Sequence, residues 1–106
     1  MVNVAPMPDL KAKWSNMVSD LNSGDINNAV NYFSLSSRTS YQKAFQALLD
    51  AGVLSQATAG MGNMSIVKSM GNAAEGDLSV IKNGKEYSYY VLFVKDEDGI
   101  WRIKAF

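Results

Sequence analysis

Asn83-Gly84 constrains the fold of this chain more than any other pair of residues. The two central residues of a type I′ turn both need positive φ, and Asn-Gly meets that demand at little steric cost. The pair sits between two strand-like runs, Ala74 to Lys82 and Glu86 to Lys95. The second run is rich in aromatic and β-branched residues, as a central strand should be. A two-residue turn fixes the register: Val80 faces Tyr87, Leu78 faces Tyr89 and Asp77 faces Tyr90. Asp96 to Gly99, DEDG, closes a second hairpin, and Ile100 to Phe106 forms the last strand. Upstream, Met64, Ile66 and Val67 read as a further strand after a Gly- and Ala-rich loop.

The first half has helical periodicity. Leu10, Trp14, Met17, Val18 and Leu21 form one apolar stripe, with Asp9 as N-cap and Gly24 as stop. Asp25 caps a second, shorter stripe of Ile26, Ala29, Val30 and Phe33. A third helix starts near Ser36 or Ser37, buries Tyr41, Ala44, Phe45, Leu48 and Leu49, and ends at Gly52 in a left-handed cap. Helices followed by an antiparallel meander predict an α+β domain, three helices on one side of a sheet of about four strands.

With 106 residues the chain makes one domain, residues 9–106. Residues 1–8, with Pro6 and Pro8, read as a linker-like tail. The start also lacks the basic and apolar regions of a secretory signal peptide. Ten basic residues balance ten acidic ones, which argues against nucleic acid and against a basic membrane-surface module. No apolar run approaches the ~20 residues of a membrane-spanning helix. Cys and His are both absent, so thiolate chemistry, zinc–thiolate sites and imidazole bases are excluded. Nothing in the sequence calls for a cofactor.

Counting DEDG as a loop of two or four residues gives the same facing for the last strand. One face then carries Leu78, Val80, Tyr87, Tyr89, Val91, Phe93 and Phe106, with Arg102 and Lys104 among them. The other carries Ile81, Tyr90, Leu92, Val94, Trp101, Ile103 and Ala105, edged by Glu75, Asp77 and Ser79. Antiparallel sheets usually bury one face and wet the other. Apolar residues on both faces therefore predict a second cover: another subunit, an adjacent domain or a bound ligand. The alternative is that the tyrosines lay their rings on the sheet and keep their hydroxyls in water.

Two motifs carry a family resemblance. Gly24, Asp25, Ala29 and Phe33 match a "GD-x-x-x-A-x-x-x-F" helix start, and Asp98, Gly99, Trp101, Arg102 and Ile103 match a "D-G-x-W-R/K-I" final strand. Over nearly the whole chain the order of elements resembles the small bacterial NTF2-like domains, the SnoaL-like or cystatin-like α+β superfamily. The resemblance implies a cone-shaped curved sheet around helices, often with a pocket and often dimerising through the sheet. It implies a homodimer or an adjacent domain of a larger, exported or periplasmic bacterial protein. Some members are isomerases, dehydratases or cyclases, and many are non-catalytic accessory domains. The absence of His departs from many of the enzymes.

Tyr87, Tyr89, Val91, Phe93, Arg102 and Phe106 are the candidate contacts for a partner or a small apolar ligand. Arg102 and Lys104 suit an anionic contact or, alternatively, a cross-strand pair with Glu86 or Asp96. Asp77 and Tyr90, with Glu75 two residues away, form a carboxylate–phenol set fit for proton transfer in a small lyase or isomerase. Glu75 and Asp77 lack further ligands for a metal. Trp14 and Trp101 read as core, Met61, Met64 and Met70 as core filling or an adaptable surface, and Asp96, Glu97 and Asp98 as a turn. The reading is a non-enzymatic domain that binds a partner or small ligand, with the lyase or isomerase as alternative.

Overall fold

The structure, a computed structural model, describes residues 9–106; the linker-like reading of residues 1–8 lies outside the described residues. Four helices, α1 (Leu10–Asn22), α2 (Ile26–Ala29), α3 (Leu35–Asp50) and α4 (Leu54–Thr58), precede four strands, β1 (Met64–Met70), β2 (Ala73–Lys82), β3 (Lys85–Lys95) and β4 (Trp101–Ala105). A 3-10 turn over Val30–Tyr32 follows α2. The strands form one open antiparallel meander in the order β1-β2-β3-β4. The chain is therefore α+β, with one more helix than the periodicity predicts. That helix, α4, lies in the stretch read as a loop, and five residues are too few to display a period.

The local signals around the helices act as expected. The Asp9 carboxylate accepts the Ala12 N–H at 3.0 Å, and that of Asp25 accepts the Asn28 N–H at 3.2 Å. All five stripe residues of α1 are buried, as are Ile26, Ala29, Val30 and Phe33. The indole N–H of Trp14 donates to the Met61 carbonyl at 2.6 Å, which ties α1 to the chain just after α4.

Helix α3 behaves differently. It begins at Leu35 and runs along the β4 edge rather than across the sheet. Phe33 bridges to Ile103 in parallel, and the Ser34 N–H donates to the Ile103 carbonyl at 2.8 Å. The Ser37 hydroxyl donates to the Lys104 carbonyl at 2.6 Å, and the Phe106 N–H donates to the Tyr41 hydroxyl at 2.9 Å. An edge offers a narrow strip to pack on, so only Ser37 and Phe45 of α3 are buried. Ala44 and Leu49, expected in its stripe, are exposed.

The β2–β3 register is the predicted one, with Val80 opposite Tyr87, Leu78 opposite Tyr89 and Asp77 opposite Tyr90. Asn83 and Gly84 have φ of 52° and 75°, as a type I′ turn requires. The phase of β4 corrects the expectation. Lys95 pairs with Trp101, which leaves five residues, Asp96 to Ile100, in the loop. Gly99, at φ 81°, takes up the odd residue. Trp101 and Ile103 therefore lie on the helix-covered face beside Phe93, and Arg102 lies on the open face beside Val94. A register shift between Leu92 and Phe93 flips the parity again, so Phe106 returns to the helix side as predicted. Its ring meets Trp14 edge-on at 5.1 Å and stacks on Tyr41 at 5.2 Å.

Moving Trp101 and Ile103 inward removes two large apolar residues from the outer face, so that face is less apolar than the alternation suggested. The core runs from the α1 stripe through Phe33 to Leu78, Val91, Phe93 and Ile103. Gly76 gives it clearance: a Cβ there would stand 2.8 Å from the Met64 sulfur.

Replacing Trp14 by Phe removes the donor to the buried Met61 carbonyl. The expected loss is about 1–3 kcal/mol in a urea unfolding curve. A change near zero would show that water reaches that carbonyl in the folded protein.

Candidate functional site

The outer face carries the carboxylate–phenol set. Asp77 lies opposite Tyr90, but the phenol O–H donates to Glu75 at 3.1 Å. Tyr90 is 54% exposed, and none of the three hollows described in the structure is lined by Glu75, Asp77 or Tyr90. Partial desolvation, then the hydrogen bond and the negative charge of Glu75, hold the phenol above its ordinary pKa. At neutral pH Tyr90 is thus a protonated donor, the reverse of a phenolate base. Trp101, placed on this face by the sequence reading, lies on the opposite one.

Arg102 shares the outer face and is spoken for. Its guanidinium meets Asp96 at 2.9 Å and Asp98 at 2.9 Å, and so clamps the β3–β4 loop. This is the cross-strand pairing that the sequence reading set against an anionic contact, with Asp96 as one of its partners. The Arg102 hydrogen bond and the Ile100 N–H together lower the pKa of Asp98. Ser34 donates to Asp96 at 3.1 Å, and a hollow of about 390 Å³ lies between Ser34–Ser36 and the acidic turn. Among the described residues no group of three or more His, Cys, Asp or Glu is placed to hold a metal ion.

The six candidate contact residues do not form one surface. Val91 and Phe93 are fully buried in the core, and Arg102 is on the outer face. Tyr89 and Phe106 do come together. With Ala57, Met61, Leu78, Val80 and Lys82 they line a cleft of about 290 Å³ on the inner face. The cleft exists because the β2–β3 hairpin is longer than the helical layer that covers it. Leu78, Val80 and Met61 are buried and form its floor. Toward the turn, Tyr87 and Tyr89 stand on the same face, uncovered. Lys82 reaches back over the Tyr89 ring, its ammonium 5.9 Å from the centroid.

Of the two lining residues from the helical side, Ala57 has no site signal in the sequence, and Met61 has only the general one of a methionine fit for core filling or an adaptable surface. Lys82 does have one, since the Asn83-Gly84 register puts it on the Tyr89 face. No family model matches the chain, and no curated protein matches it. No helix among the described residues is long and apolar enough to cross a membrane.

Two titrations check this geometry. Tyr90 is expected to ionise above the usual value near 10, and Glu75→Gln should bring it down toward that value in an absorbance or NMR titration. An unchanged midpoint would mean that the Glu75 contact does not form in solution. For Asp98 the folded pKa is depressed. Its contribution to stability is therefore present above about pH 3.9 and fades as pH falls through the lower folded value. Arg102→Gln should raise the Asp98 midpoint; if it stays low, the guanidinium is not the cause.

Proposed function

We propose that the chain is a non-catalytic, NTF2-like binding module whose ligand is a small, largely apolar molecule held in the inner-face cleft. The observation that carries this reading is the cleft itself, where a buried apolar floor opens between two aromatic walls, Tyr89 and Phe106. Its volume is at the small end of the range for ligand pockets. The two motifs that resemble NTF2-like domains support the family reading, and the α+β layering is in keeping with it. The lyase or isomerase alternative has less support. Its carboxylate–phenol set is on an open face, where water would solvate any charge that developed.

A second reading has one observation in its favour. Ile81 is 73% exposed on the outer face, and Tyr90, Leu92 and Val94 continue an apolar stripe from it. That stripe suits self-association or an adjacent domain of the same polypeptide. Ile81→Lys would then lower the sedimentation mass or weaken domain docking.

The test of the cleft is methyl-resolved NMR with a panel of small apolar compounds. Binding should shift the methyls of Ala57, Leu78 and Val80, and Ala57→Trp should abolish the response by filling the space. Shifts confined to Leu92 and Val94 would move the site to the outer face.

A further inference from the structure

The hairpin tip carries an electrostatic arrangement that folding alone does not explain. Lys82 and Lys85 are directly opposite each other in the β2–β3 ladder. Like charges in that position destabilise a hairpin. Neither is in an ion pair among the described residues, where the ion pairs are those of Arg102 with Asp96 and Asp98. Both lysines alternate with Val80 and Tyr87 and so stand on the inner face; Lys82 lines the cleft, and Lys85 is its cross-strand neighbour one step outside that lining. The nearby strand carboxylates, Glu75, Asp77 and Glu86, fall on the outer face by the same alternation, and Glu86 is engaged there by the Ser79 hydroxyl at 2.7 Å. The side chains that line the cleft include a cation and no carboxylate. Its floor is apolar, and at its rim Lys82 faces a second positive charge, Lys85, whose repulsion an anion would relieve.

We infer that the ligand is an amphipathic monocarboxylate, with its chain on Leu78, Val80 and Met61 and its carboxylate between Lys82 and Lys85. This rests on the cleft reading above and adds the charge of the ligand to it. The size follows from the volume. About 290 Å³ accommodates roughly ten atoms of water size at ~30 Å³ each. A straight-chain acid of about eight carbons has that size. The lysines act as a charged rim, so binding weakens as salt screens them.

The experiment titrates the intact chain with octanoate, 1-octanol and octylammonium by methyl NMR and calorimetry. Octanoate should bind at least tenfold more tightly than the alcohol, and octylammonium should not bind. Lys82→Gln with Lys85→Gln should erase the advantage of octanoate while leaving the weaker alcohol response at Leu78 and Val80. Lys85→Glu should raise Tm, because it replaces a like-charge pair with an opposite one, and should weaken octanoate at least tenfold. Equal binding of acid and alcohol would overturn the carboxylate inference and leave the apolar cleft standing. No response at Ala57, Leu78 or Val80 to any of the three would overturn the cleft reading as well. Adsorption to anionic vesicles without binding of monomeric octanoate would show that the lysines serve a lipid surface, which would also overturn the inference.

Discussion

The loop from Asp96 to Ile100, held by Arg102, decides which side of the last strand faces the helices. With five residues it places Trp101 and Ile103 against Phe93; a loop of four would turn them outward. Two carboxylates on one guanidinium, and a left-handed Gly99, fix that odd count. The consequences spread through the molecule. Ile103 lies in the core and bridges to Phe33, its carbonyl takes the Ser34 N–H, and α3 starts there. The β4 edge is covered by this contact, so α3 lies beside the sheet and much of its surface remains in water.

Covering the edge leaves α1, α4 and the chain that follows α4 to cover the sheet face, where burial on β2 reaches Val80. Beyond it the β2–β3 hairpin continues with Lys82 and Lys85 on its inner side, while Tyr87 and Tyr89, opposite Val80 and Leu78, stand uncovered on the β3 half of that face. The cleft is the junction between packed core and free hairpin. Its floor belongs to the core, so it is preformed, and binding there need not order the chain first. Its mouth belongs to the hairpin, where side chains are free to answer a ligand's charge. Core and candidate site are thus two ends of one sheet face.

Much of this was legible in the sequence. Asn83-Gly84 alone dictates ten cross-strand pairs from Ala73–Val94 to Lys82–Lys85. Asp9, Asp25, Gly24 and Gly52 mark the ends of helices as their chemistry requires. Two features were not legible. The parity of an acidic loop depends on whether its glycine adds a residue, and DEDG followed by Ile allows both even and odd counts. The width of a buried stripe depends on what a helix packs against, which α3 does not encode in its own periodicity. The candidate site was half legible. Tyr89 and Phe106 follow from the strand pattern, whereas Ala57 and Met61 reach the cleft only through tertiary folding.

The measurement that tests this account most directly is a NOESY spectrum on protein with labelled Ile and Leu methyl and aromatic groups. The structure predicts cross-peaks from the Ile103 methyls to the Phe93 and Phe33 rings, which places β4 in the five-residue phase and the single covered face with its cleft. Cross-peaks from Ile103 to Tyr90 and the Leu92 methyls instead would put β4 in the opposite phase. The sheet would then be apolar on both faces, and the account of core and cleft would fail together.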